Sequence, residues 1–176
     1  MNENCIRDRL VEHGEALFRA PPELVRFTQD DAADRLLNDL VDHPHAFVLE
    51  SVMDRQIKAE RAWLIPCRFM EKLGGFSIET LLDQSESDIK SLMSEPEALH
   101  RFVDIMSDCF FKAVRRIADQ YESDASRIWQ GRPSSATVVY RFLEFDGVGP
   151  KIATMDANIL AREFKIEFAD HYSIDI

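Results

Sequence analysis

Apolar positions recur every three or four residues along nearly the whole chain, the spacing of helices that bury one face. Leu10, Leu17 and Phe18 begin the pattern, and Pro21-Pro22 interrupts it. Asp30-Asp31 opens a second segment with Leu36, Leu37, Leu40 and Val41 on one face, and Pro44 is expected to close it. Residues 47–56 and 60–73 read as two further helices, the second stopped by Gly74-Gly75. Ser77 and Ser85 stand as caps before two short helical stretches. The longest segment spans 97–121, striped by Leu99, Phe102, Val103, Met106, Phe110, Val114 and Ile117. A loop at 131–135 precedes a helix over 135–145, and a last helix spans 150–164. No stretch alternates with the period of a strand. The expected fold is all-α, a bundle of about eight to ten helices with a helical hairpin near the C-terminus.

Composition agrees with a packed core. Twelve Phe and two Trp stand among 176 residues, too many for a disordered chain. No apolar run approaches the roughly 18 residues that span a bilayer, and the charged first residues lack a signal-peptide core, so a cytoplasmic protein is expected. Cys5, Cys67 and Cys109 lie far apart and form no metal-ligand spacing. No metal or cofactor is expected within these residues.

Charge narrows the partners. The net charge is −11, which disfavours strong nonspecific binding to nucleic acid. The charge is uneven, however. Residues 1–43 carry 5 basic and 10 acidic groups, whereas 44–76 carry 5 and 4 and 99–151 carry 8 and 7. A local basic face is therefore compatible with the sequence. The reading separates an acidic helical segment, 1–44, able to meet a protein partner, from a helical domain, 45–176.

The candidate chemistry lies in FDGVGPKIATMDANIL, residues 145–160. Gly147-Val148-Gly149 separates two helical patterns, Pro150 suits a first helical position, and Lys151 follows in the first turn. Unpaired amides at such a start, with the positive end of the helix dipole, attract an anion. A tight helix–helix connection with a surface lysine is the plain alternative.

The stretch FLEFDGVGPKIATMDANIL resembles the helix-hairpin-helix of the HhH-GPD superfamily of base-excision DNA glycosylases, through Leu143, Gly147, Val148, Gly149, Lys151 and Ala153. Asp146 stands where that family usually has proline. Residues 51–60 resemble the family's helix end at which a glutamine follows an apolar helix, here Gln56. The resemblance implies amides of Gly147, Val148 and Gly149 on a phosphate of double-stranded DNA, sometimes through a monovalent cation. It implies Gln56 in the gap left by a flipped base, and Lys151 as the amine that attacks the sugar C1′ in bifunctional members. Such an amine must lose its proton, through burial or cationic neighbours. The family aspartate follows the hairpin in a D-x-H type segment, which FKIEFADHYSIDI does not contain. It is expected beyond residue 176, as is any iron–sulfur cluster, so domain 45–176 reads as incomplete at its C-terminal end. A noncatalytic hairpin that binds nucleic acid or protein is the alternative function.

Other clusters read as structural. His43 and His45 flank Pro44 as helix-boundary residues, and Asp30, Asp31 and Asp34 suit an acidic first turn. Lys112, Arg115 and Arg116 form a small basic cluster, and Trp63 and Trp129 are expected in or near the core.

Overall fold

The computed structural model describes residues 3–19 and 23–170. Among them it contains nine α-helices, one 3-10 turn and no strand. The all-α expectation holds. The helices are α1 (Glu3–Arg19), α2 (Asp31–Asn38), α3 (Pro44–Met53), α4 (Ala59–Leu73), α5 (Ile78–Leu82), α6 (Glu86–Ser94), α7 (Val103–Tyr121), α8 (Ser135–Leu143) and α9 (Pro150–Arg162). The 3-10 turn, Ala125–Ile128, lies between α7 and α8. The expected break at Pro21-Pro22, together with His171 and Asp175, lies outside the described residues.

Helix α3 is the centre of the bundle. All ten of its residues are buried, and it packs against α2, α4, α7, α9 and the 3-10 turn. Phe47 on this helix meets Trp129, Phe142 and Phe164 edge-on, an arrangement aromatic quadrupoles favour. Phe69 of α4 stacks on Phe110 of α7, with ring centres 4.4 Å apart. The stripe on α7 turns its middle inward: Met106, Phe110, Val114 and Ile117 are buried.

Three boundaries differ from expectation. Pro44 opens α3 instead of closing the preceding helix, because the first helical position needs no amide. Helix α3 ends at Met53, not at Gln56, and a turn closes through Arg55 N–H to the Met53 carbonyl at 2.8 Å. Helix α7 starts at Val103 instead of near residue 97. Ahead of it the Leu99 amide returns to Met93 O and the Phe102 amide donates to His100 Nδ1, so these donors do not enter a helix.

Most predicted signals fall on helix ends. Ser85 and Asp88 complete a capping box on α6. Gly74 closes α4 at φ +73°. Asp30 caps α2 through the amides of Ala32 and Ala33. Asp34 does more than decorate the first turn. Fully buried, it accepts from the amides of Phe27 and Thr28 and from the Thr28 hydroxyl. With Asn38, which pairs both ways with the Val25 backbone, it ties residues 25–28 to α2. Helix α2, within the acidic segment 1–44, packs on α3 and α4, and Leu36 and Leu37 join the common core. Every described side chain of α1 is exposed.

Candidate nucleic-acid interface

Helices α8 and α9 form the hairpin, and 3-10-like turns join them. Ser134 caps α8 by accepting from the Thr137 amide at 3.1 Å. Asp170 reinforces that end, taking the Ser135 amide at 2.7 Å and its hydroxyl at 2.6 Å. The chain beyond α9 is thereby drawn back to the start of α8.

The two glycines of the turn have different reasons to be there. Gly147 has φ +102°, and a Cβ built on it would stand 3.1 Å from the Val52 carbonyl oxygen and 3.8 Å from Cys109 Sγ. The fold itself therefore demands glycine: the backbone angle and the approach to α3 both exclude a side chain. Gly149 is the N-cap of α9 in ordinary extended backbone, φ −100°, and a Cβ there would meet nothing within 4 Å. Val148 is buried, and its amide donates to Phe145 O at 3.1 Å. The amides of Gly149, Lys151 and Ile152 have no partner among the described residues, as the first turn of a helix requires.

The approach of Gly147 to Val52 brings the hairpin against the C-terminal end of α3, where Gln56 lies. Gln56 is exposed, at φ +56°, in the turn that leads to α4. Behind that turn His100 is fully buried, and Arg101 donates from its guanidinium to Gln56 O at 3.3 Å. Burial pushes the His100 imidazole below its ordinary range. Arg55, Arg101 and Lys151 are exposed around this junction, and the charge of Lys151 acts on the Asp54 carboxyl. The cluster proposed on α7 is spent within the fold. Lys112 pairs with Asp108 at 2.8 Å and lies 3.7 Å from Asp146. Arg115 donates to the carbonyls of Leu82 and Gln84, and Arg116 to Gln120 Oε1.

Lys151 is exposed and faces Asp54, whose half-buried carboxyl its charge steadies against the upward push of burial. The burial expected around its amine is absent. Three residues of this region escaped the sequence reading: Asp54, Glu50 and Asp156. Glu50 and Asp156 are fully buried on α3 and α9. Trp63 lies beside Glu50, and among the described residues Glu50 Oε1 and both Asp156 oxygens lack a hydrogen-bond partner. Ser51 Oγ lies beside Asp156 yet gives its proton to Phe47 O at 3.0 Å. Burial is the main cause that raises both carboxyls; Asp156 is pushed up to about 8, and Glu50, repelled further by Asp156 and Asp54, lies well above the ordinary range. Glu50 and Asp54, four residues apart, and Asp156, five residues after Lys151, share the helix faces that meet, a signal visible only once the facing helices are known. Among the described residues no group of three or more His, Cys, Asp or Glu side chains is arranged to hold a metal ion, and no helix is long and apolar enough to cross a membrane.

No protein-family model, curated protein or solved structure matches the chain.

Proposed function

We propose that the chain is a DNA-glycosylase-like protein whose α8–α9 hairpin holds a phosphate of duplex DNA while Gln56 enters the duplex beside an extruded base. The observation that supports it most is the junction of the hairpin with the α3–α4 turn. There the unpaired amides of Gly149, Lys151 and Ile152 share one exposed end with Arg55, Arg101 and Lys151. Backbone donors and a helix dipole suit an anion, and Arg55, Arg101 and Lys151 supply local positive charge in a chain of net −11. The open space above Gly149 leaves its backbone bare for close approach. In this reading the Lys151 amine, once deprotonated, adds to the sugar C1′ as the base departs with the bonding electrons; the C1′–O4′ bond then opens, O4′ takes the proton that the nitrogen gives up, and the Schiff base forms.

A second reading has its own support. Lys151 is exposed beside Asp54, and an exposed lysine in the first turn of a helix suits a phosphate counter-ion in a noncatalytic binder.

Fluorescence anisotropy on an undamaged duplex and one with an abasic-site analogue, over a salt series, tests both. Preference for the abasic duplex, weakened by salt and by Gly149→Asp, is the expected result. Absence of binding to either duplex at low salt would rule out both readings. Borohydride reduction in the presence of an abasic duplex then separates them, since only a nucleophilic Lys151 leaves a covalent adduct, lost in Lys151→Ala.

A further inference from the structure

The least expected feature of the interior is a pair of carboxyls with nothing cationic to answer them among the described residues. Glu50 on α3 is 2% exposed and Asp156 on α9 is 0% exposed. Among the described residues, three of their four oxygens have no hydrogen-bond partner. The helices that carry them pack together, and they pack where the hairpin meets α3. An isolated carboxylate costs far too much to bury without a cation or donors, so such groups take up a proton instead.

We propose that Glu50 and Asp156 form a proton-holding pair, which seats α9 on α3 while both carboxyls are neutral and unseats the hairpin when they ionise. The groups that act on the pair are few. From the C-cap of α3 comes Asp54, whose negative charge opposes ionisation of both. From α4 comes Trp63, which lies beside Glu50 and favours its ionised form. From α3 also comes the Ser51 hydroxyl, already used on Phe47 O. Lys151 of α9 acts on Asp54 and not on the pair. No lysine, arginine or histidine of α2, α4, α7, α8 or the 3-10 turn acts on either carboxyl among the described residues.

The direction follows from proton counts. Unfolded, the two carboxyls lose their protons near pH 4, as ordinary carboxyls do. Folded, they keep them to higher pH, Asp156 to about 8. Across that window the folded chain binds more protons than the unfolded one, so stability falls as pH rises. With the hairpin unseated, the free amides of α9 and the Gln56 turn no longer share one face. That last consequence rests on the DNA reading above; the proton and the fold do not.

The test is made on the full chain without DNA. Infrared difference spectra between pH 6 and pH 9 read the protonated carboxyl stretch. Surface carboxyls are already ionised at both values, so only buried ones contribute. Thermal unfolding at the same pH values is followed for the native chain, Asp156→Asn and Glu50→Gln. The expected result is a protonated band at pH 6 that is lost by pH 9 and reduced in Asp156→Asn. The native midpoint should fall by about 5 °C or more across the window, and by half as much or less in either variant. Absence of the band at pH 6 in the native chain overturns the proposal, and this holds even where a variant fails to fold. So does an equal fall in all three chains. Recovery of the pH 9 midpoint by millimolar Mg²⁺ or Mn²⁺ also overturns it, since the pair would then be a cation site. Anisotropy on the abasic duplex at pH 6 is scored separately, so failure of DNA binding is not mistaken for failure of the pair.

Discussion

Gly147 and Gly149 look interchangeable in the string Gly-Val-Gly, yet they answer to different neighbours. Gly147 is held at φ +102° against the Val52 carbonyl. Gly147→Ala is expected to cost about 1–3 kcal/mol of stability, from backbone strain and the close contact, as read by urea unfolding. Gly149 meets nothing within 4 Å and has ordinary backbone angles. Gly149→Ala should leave stability within about 1 kcal/mol of the native value, since only a mediocre cap residue is introduced. If the bare backbone serves a phosphate, the same change weakens binding to the abasic duplex measurably. Equal stability losses at the two positions would contradict this division. The glycine pattern was legible in the sequence. Which glycine the fold needs was not, because that depends on Val52 and Cys109, which are distant in the chain.

At the scale of elements, helix starts were legible because their cause is local. Ser77, Ser85 and Ser134 each accept an amide three residues on. Ser134→Ala should therefore cost about 1 kcal/mol and raise hydrogen exchange in the first turn of α8, with α6 unaffected as the internal control. Unchanged exchange there would mean that Asp170, through Ser135, carries the cap alone. The missed boundaries had nonlocal causes. The stretch 97–102 has helical composition, but the Leu99 amide goes back to Met93 and Arg61 reaches over to the carbonyls of Ala98 and Leu99. In the sequence Pro44 is compatible with a stop as well as a start, because proline punctuates helices in both directions. Only the placement of His45 to Met53 in the core shows that it begins one.

For the whole molecule, the sum of charge and its placement pull in opposite directions. A net charge of −11 repels a polyanion at long range, whereas the junction of hairpin and α3–α4 turn presents Arg55, Arg101 and Lys151. With about three phosphate contacts, log affinity should fall against log salt with a slope of about −3, and Lys151→Ala or Arg101→Ala should each reduce it by about one. A slope near zero would remove phosphate contact from the account.

Sequence by itself determined the helical class, most caps and the existence of the hairpin. These follow from periodicity and from side chains that reach only their own turn. It also disclosed Gly147, Gly149, Lys151 and Gln56 as positions of interest. Tertiary structure alone decided that the Gln56 turn and the hairpin share one end of the bundle, and that the α7 basic cluster is consumed by carbonyls and carboxylates. It alone set Glu50 and Asp156 in the core without a cation. The reason is physical: hydrogen bonds within a turn depend on neighbours in sequence, whereas burial and charge pairing depend on which helices meet, and more than one hundred residues separate Glu50 from Asp156.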